Sequence, residues 1–173
     1  MTLQINRAEP ADAVITAMIG RITFAETFGY LFQEHKADLR AYLDRTFDVG
    51  KIERSLGQPR NVYWLARWNR LPVGYAKLKL AESPPGQPGR GAAQLQKIYV
   101  LHEFLGQRVG HRLLDAVTLE ATGRAPLLWL DVLRENARAI DFYGRHGFIS
   151  IGQDTYTIGA QRFAFELMAR EAS

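Results

Sequence analysis

The chain contains no cysteine and only four histidines in 173 residues. Without thiols there are no disulfides, no thiolate zinc site and no cysteine nucleophile. His35, His102, His111 and His146 show no ligand spacing, so surface or capping roles are expected, and no metal. No G-x-S-x-G occurs, which leaves a serine hydrolase unsupported. No apolar run approaches the roughly 20 residues that cross a bilayer, and residues 1–7 lack the apolar segment of a secretion signal. No membrane contact and a cytoplasmic location are therefore expected. A block of one charge sign is also missing. The 22 Lys and Arg exceed the 18 Asp and Glu by a net +4, but the two kinds are interspersed, and no nucleic-acid partner is expected. A solvated basic surface biased toward an anionic cofactor is the simpler account.

What is present, 47% apolar and 23% charged residues, suits an ordinary globular domain. At this length roughly 70% of the unfolded surface is buried on folding, enough for one core, and 1–173 is expected to form a single domain. Residues 2–7 alternate weakly as a first strand. Pro10 and Asp12 suit the first turn of a helix that runs through Val14, Ile15, Met18, Ile19 and Ile22 and is expected to end at Gly29. The spacing of Leu39, Tyr42, Leu43 and Phe47 predicts a second helix over 33–47, with a short third over 51–56. Strands at 61–68 and 72–80 flank Asn69-Arg70 and read as a hairpin, in which Tyr63, Trp64 and Trp68 are core and rim residues. Residues 83–91 are too rich in proline and glycine for regular structure and read as an exposed loop.

Residues 94–100 form an apolar, β-branched and aromatic run, and Val109, Leu113, Leu114 and Val117 give the next segment a helical period. The turn between them carries Gly106 and Gly110. Glycines there let backbone N–H groups face outward at the positive end of a helix dipole. On spacing alone the turn is either an anion site or a ligand-free helix start. A buried strand over 126–133 precedes a helix over 136–146, and a terminal hairpin turns near Gly159. One parallel crossover within an otherwise antiparallel sheet follows, hence a mixed α/β (α+β) class. Asn136 opens the last helix, and Tyr143 falls two turns later on the same face. Asn is a favoured helix cap and a tyrosine suits an apolar helix face, so each has a structural reading beside a functional one.

Two segments resemble the GNAT superfamily of N-acetyltransferases, which use acetyl-coenzyme A. They are the strand, turn and helix at 95–119 and the pattern N-x-x-A-I-x-F-Y-x-x-x-G-F in Asn136, Ala139, Ile140, Phe142, Tyr143, Gly147 and Phe148. Gln96-Lys97-Ile98-Tyr99-Val100, Thr23-Phe24-Ala25-Glu26-Thr27-Phe28 and the terminal hairpin are similar to the bacterial spermine/spermidine acetyltransferases. The resemblance implies a single-domain GNAT fold, a mostly antiparallel sheet of about six or seven strands with a splayed parallel pair, flanked by about four or five helices. The implied cofactor-binding set is Ile98, Tyr99, Val100, Leu105, Gly106, Gln107, Arg108, Val109, Gly110, His111, Asn136 and Tyr143.

Backbone N–H groups near Tyr99 or Val100 would polarise the thioester carbonyl, and Tyr143 would be the general acid for the leaving thiolate. An alkyl ammonium must lose its proton first. Glu26, Glu103 and Asp131 are the candidate bases, with Glu26 carried forward. Thr23, Phe24, Glu26, Thr27 and Phe28 either wall an acceptor site or form a plain helix face. The implied reaction is direct acetyl transfer to the primary amine of a small molecule in a ternary complex, with a polyamine favoured as acceptor. Glu26, Glu34 and Asp38 would attract such a polycation, while the net positive charge opposes it. Alternatives are a peptide or protein amine, and a non-catalytic acyl-coenzyme A binding module. A homodimer through an exposed sheet edge is left open. The family's pyrophosphate turn usually carries Arg or Gln, two free positions, Gly, one free position, then Gly or Ala. Leu105, Arg108 and Gly110 hold those places here. Arg108 would either add a cation or disturb the backbone, and the cation is preferred because most donors of such a turn are backbone N–H groups.

Overall fold

The computed structural model describes residues 2–89 and 91–172. Its centre is a seven-stranded sheet in the order β1-β2-β3-β4-β5-β7-β6. The strands are Leu3–Arg7 (β1), Asn61–Trp68 (β2), Leu71–Lys79 (β3), Ala92–Val100 (β4), Leu127–Leu133 (β5), Ile149–Ile158 (β6) and Gln161–Glu171 (β7). The β2/β3 hairpin forms as expected. Asn69 and Arg70 both take positive φ, 48° and 73°, the turn whose twist matches paired strands. The loop at 83–91 runs as expected without regular structure and is largely exposed apart from buried Pro84; residue 90 lies outside the described residues.

The helices are Ala13–Phe28 (α1), Lys36–Thr46 (α2), Val49–Leu56 (α3), Val109–Ala121 (α4) and Ala137–Arg145 (α5). None is long and apolar enough to cross a membrane. A single 3-10 turn, Pro10–Asp12, precedes α1, and the Asp12 carboxylate accepts from the Glu9 N–H at 2.9 Å. Gly29 does not close α1 in a left-handed conformation: its φ is −57°, and the chain continues into the 3-10 turn Gly29–Phe32. The second helix starts three residues later than its periodicity suggests, because 33–35 complete that turn.

Helices cover both faces of the sheet. On one face Val109, Leu113, Leu114 and Val117 of α4 pack with Tyr143 of α5 on Val62, Ala76, Leu78, Ala93, Leu95, Leu128 and Leu130. Each fully buried leucine there contributes roughly 1.5–3 kcal/mol of transfer free energy. On the other face Ala13, Ala17 and Phe24 of α1, Phe47 just past α2 and Ile52 of α3 lie over Leu133 and Phe163. Asp38 of α2 accepts from the Ala160 N–H at 3.0 Å in the β6/β7 turn, which ties α2 to the far end of the sheet.

Two irregularities in β4 set up the site. Its pairing with β3 shifts register, Lys77 facing Lys97 but Leu78 facing Leu95, so Gln96 is an extra residue, a bulge. Leu95 and Ile98 thereby both reach the α4 face, while Lys97 lies over the Phe47 and Tyr99 rings on the other. In the single parallel pair, β4 meets β5 only at Ala92↔Leu127, Ala93↔Leu128 and Gln94↔Trp129. Beyond that point 95–100 and 130–133 diverge, each held by its outer neighbour, β3 or β7.

Gly20 shows how tightly α1 is seated. A Cβ there would stand 2.4 Å from the Phe47 ring and 3.0 Å from the Tyr75 hydroxyl. Gly20→Ala is expected to cost roughly 1–3 kcal/mol by overpacking, read as a lower Tm in calorimetry. An unchanged Tm would show that Phe47 yields freely.

Candidate active site

The divergence of β4 and β5 opens a cavity of about 1180 Å³ that runs through the sheet. Its β4 wall is formed by Gln94 to Val100 and its β5 wall by Trp129, Asp131, Val132 and Leu133. One end meets the turn before α4. The other lies beneath α1, α2 and α3. Of the residues singled out as cofactor-binding, Ile98, Tyr99, Val100, Leu105, Gly106, Arg108, Val109, Gly110, His111, Asn136 and Tyr143 all line this space. Gln107 does not: its side chain turns back to donate to the Glu103 carbonyl at 3.3 Å. Gly106 before it and Arg108 after it both have positive φ, and position 107 faces outward.

The turn leaves several backbone N–H groups without partners in the helix. Gly106 has φ +80° and Arg108 has φ 62°, ψ 11°. The first backbone bond of α4 runs from the Arg112 N–H to the Arg108 carbonyl at 3.1 Å, so the N–H groups of Val109, Gly110 and His111 point out of the helix end. Arg108 thus occupies a left-handed position that a non-glycine residue holds at a cost of roughly 1–2 kcal/mol. The concave backbone forms despite its Cβ, and the guanidinium lies exposed at the rim. His111 Nδ1 stands 3.0 Å from His146 Nε2, and the other nitrogen of His146 is 2.7 Å from the Phe142 carbonyl oxygen. That contact fixes the start of α4 against α5.

Asn136 is the N-cap of α5, its Oδ1 accepting from the Ala139 N–H at 3.2 Å. The cap is real, and it also sets which face of α5 meets the cavity. Tyr143 follows on that face, only 7% exposed. Burial, with Tyr99 and Asp131 nearby, pushes its phenol well above the ordinary value. Glu26 lies near the end of α1, exposed, and its carboxylate accepts from the His102 N–H at 3.2 Å, just past β4. Thr23, Phe24, Thr27 and Phe28 line the cavity with it, so this helix end is a cavity wall. Glu103 is not among the lining residues, whereas Asp131 is. Burial raises the Asp131 carboxyl; hydrogen bonds from Tyr156 and Gln94 and the charge of Lys97 act in the opposite direction. Glu34 and Asp38 do not line the cavity.

Lys77 and Lys97 are cavity residues that sequence reasoning passed over. Lys77 lies 5.3 Å above the Tyr63 ring, and Lys97 lies 5.4 Å from Phe47 and 5.5 Å from Tyr99. The alternation Tyr75-Ala76-Lys77 does put the lysine on the face of Tyr63. A lysine on one strand nevertheless reads as solvated until the helices above that face and the partner strand are known.

The Acetyltransferase (GNAT) family model matches residues 24–148. An uncharacterized N-acetyltransferase from the pepI 3′ region of Lactobacillus delbrueckii subsp. lactis is 24% identical over 147 residues, 83% of each chain. One from Mycobacterium bovis is 28% identical over 134 residues, 77% of this chain and 81% of that one. Among solved structures, the PaiA N-acetyltransferase of Thermoplasma acidophilum in complex with coenzyme A superposes with a TM-score of 0.77 at 19% identity over 99% of both chains. The ribosomal-protein-S18-alanine N-acetyltransferase of Escherichia coli gives a TM-score of 0.70 at 20% identity, over 99% of this chain and 95% of that one.

Burial, then Lys97, Lys79 and Lys51, lower the Lys77 ammonium from 10.5 to about 8, against a weaker opposing effect of Glu82. The charged form is the disfavoured one in the fold. Below about 8 both folded and unfolded chains carry the proton and the full cost is present; between 8 and 10.5 the folded chain releases it first, so this contribution to stability rises with pH. Lys77→Met is expected to raise stability at pH 7 by on the order of 1 kcal/mol, allowing for partial exposure. The gain should shrink as pH rises through that window. A lower Tm for the variant at pH 7 would contradict this.

Proposed function

Because the chain belongs to the Acetyltransferase (GNAT) family, we propose that it moves an acetyl group from acetyl-coenzyme A to the primary amine of a small molecule, by direct transfer in a ternary complex. The observation that carries this reading is the opening between β4 and β5, with the outward N–H groups of the 106–111 turn at one end. Those N–H groups, the helix dipole and the Arg108 cation fit a pyrophosphate. The narrow gap beside 96–100 fits the slender pantetheine arm. When bound, the cofactor supplies an acetyl thioester.

The residues then divide the work. The divergence frees the backbone N–H groups of β4 that face β5, and one near Tyr99 or Val100 is placed to donate to the acetyl carbonyl oxygen as negative charge grows on it. An ammonium acceptor has a pKa of about 10.4 and must lose a proton before its lone pair can attack. Glu26 is assigned to take that proton, directly or through water. The new C–N bond forms as the C–S bond breaks, and the hydroxyl of Tyr143 gives its proton to the departing sulfur. A phenol held neutral by burial suits a donor at that point.

A small acceptor is favoured over a protein because the hydrogen bond from the Ala160 N–H to Asp38 ties the β6/β7 turn to α2, beside the cavity that α2 lines with Tyr42, Arg45 and Thr46 and the adjoining strand ends line with Thr157, Ile158 and Phe163. The polyamine preference implied by resemblance is not retained. Arg45, Lys51, Lys77 and Lys97 line the acceptor half of the cavity, and Asp38 is occupied elsewhere.

Free thiol release with acetyl-coenzyme A and a panel of amines tests the proposal. Tyr143→Phe is expected to lower kcat by roughly 10²-fold while coenzyme A still binds; unchanged turnover would remove Tyr143 from the mechanism. Glu26→Gln is expected to slow transfer at pH 7, with the deficit shrinking toward pH 10 as the amine loses its proton unaided. A deficit independent of pH would contradict its role as base. Arg108→Gly is expected to gain roughly 1 kcal/mol of stability by relieving the left-handed strain and to weaken coenzyme A binding. Equal or tighter binding would show that the cation contributes nothing.

A further inference from the structure

In the acceptor half of the cavity, cations sit where the fold does not need them. The β3/β4 register places Lys77 directly opposite Lys97, and the bulge at Gln96 keeps both on the cavity face. Like charges opposed across a strand pair repel, and both side chains are half-buried, so their repulsion is poorly screened. Among the described residues neither makes an ion pair within 4 Å; the charges of Asp131 and Glu82 reach Lys97 and Lys77 only across a longer distance. Their neighbour Lys79 does make one, with Glu82 at 2.9 Å, and Glu82 is taken up further by Arg60 at 3.0 Å. Lys51 and Arg45 line the same half from α3 and α2, and Lys51 Nζ donates to the Arg45 carbonyl across a long 3.5 Å. Asp131 is the one carboxylate facing this group from β5, and it accepts from Gln94 and Tyr156. Glu26 of α1 also lines the cavity, its carboxylate accepting from the His102 N–H, so four cations stand against two carboxylates not taken up in ion pairs, and the balance on this side is positive. Phe24, Phe28 and Tyr42 add aromatic surface to the same walls.

We infer that Lys77 and Lys97 form an anion subsite, and that the acceptor is an amino carboxylate with an apolar side chain. The inference rests on the transferase reading above and names the substrate class for it. Lys97 precedes Tyr99 by two residues on the same strand face, about 7 Å along the strand. A carboxylate held there is a few bonds away from an amine delivered beside Tyr99, as in an α- or β-amino acid. A bound carboxylate would also offset the repulsion between the two lysines and favour the charged form that burial disfavours in Lys77. A polyamine would bring more positive charge to the same place.

Matched pairs separate the possibilities: phenylalanine against phenethylamine, leucine against isoamylamine, with spermidine and O-phosphoethanolamine alongside, each read as kcat/KM with acetyl-coenzyme A. The amino acid of each pair is expected to exceed its decarboxylated partner by roughly tenfold to a hundredfold, the span of a charge-assisted contact. In Lys77→Met and Lys97→Met that ratio should fall toward one. Equal use of both members, a preference for spermidine, or a preference for O-phosphoethanolamine over every amino acid overturns the inference. Calorimetric binding of the same ligands to the coenzyme A complex decides it independently of turnover. If no amine is acetylated but the amino acids still bind more tightly than the amines, and lose that advantage in Lys77→Met, the subsite stands and the transferase reading fails.

Discussion

The structure depends on a sheet that cannot close at one place. β4 and β5 are parallel neighbours joined at three residue pairs, and beyond those pairs each is held on its other side by an antiparallel strand. Antiparallel pairing along the length of β5 and the bulged pairing of β4 hold the two on different courses. Closing the gap would mean breaking those ladders. Backbone donors along the inner edges are therefore left without sheet partners, in a place shielded by helices on both faces. Unpaired buried backbone groups are costly unless something satisfies them, and a long, narrow, polar-ended ligand is suited to do so.

The other features follow from that opening. The crossover connection from β4 to β5 must pass over the sheet as α4, which brings the positive end of a helix to the mouth of the gap. Arg108 stands in that turn with positive φ, a backbone conformation that a glycine adopts at lower cost. α5 leaves β5 through Asn136, whose cap fixes the rotation of the helix so that Tyr143 meets the gap from one side. On the other side, the bulge at Gln96 turns Lys97 and Tyr99 toward α1 to α3. The groups lining the cavity thus come from opposite faces of one interrupted sheet.

Much of this was legible in the sequence. The apolar period of α4, the Asn69-Arg70 hairpin and the parallel crossover are local signals or direct consequences of element order. So was the gathering of Asn136, Tyr143 and the glycine turn, because all three lie next to strand ends that the crossover brings together. What was not legible depends on register. A single extra residue at Gln96 decides whether Lys97 faces α4 or the cavity, and nothing in the apolar alternation marks it. The opposition of Lys77 and Lys97 follows from that register across a long loop rich in proline and glycine. Gly29 does mark the end of α1, but as a right-handed cap that passes straight into a 3-10 turn, a continuation that the glycine does not signal. Asp38 seemed free to attract a cation, but its partner, the Ala160 N–H, is remote in sequence.

Amide hydrogen exchange with and without saturating coenzyme A tests most directly whether the opening between β4 and β5 is the cofactor site. The expected result is slowed exchange at 106–112 and along 95–100, with β1 and β6 at the sheet edges unchanged. Exchange that is unaltered in the turn and β4, or slowed only elsewhere, would contradict a cofactor seated between the two diverging strands.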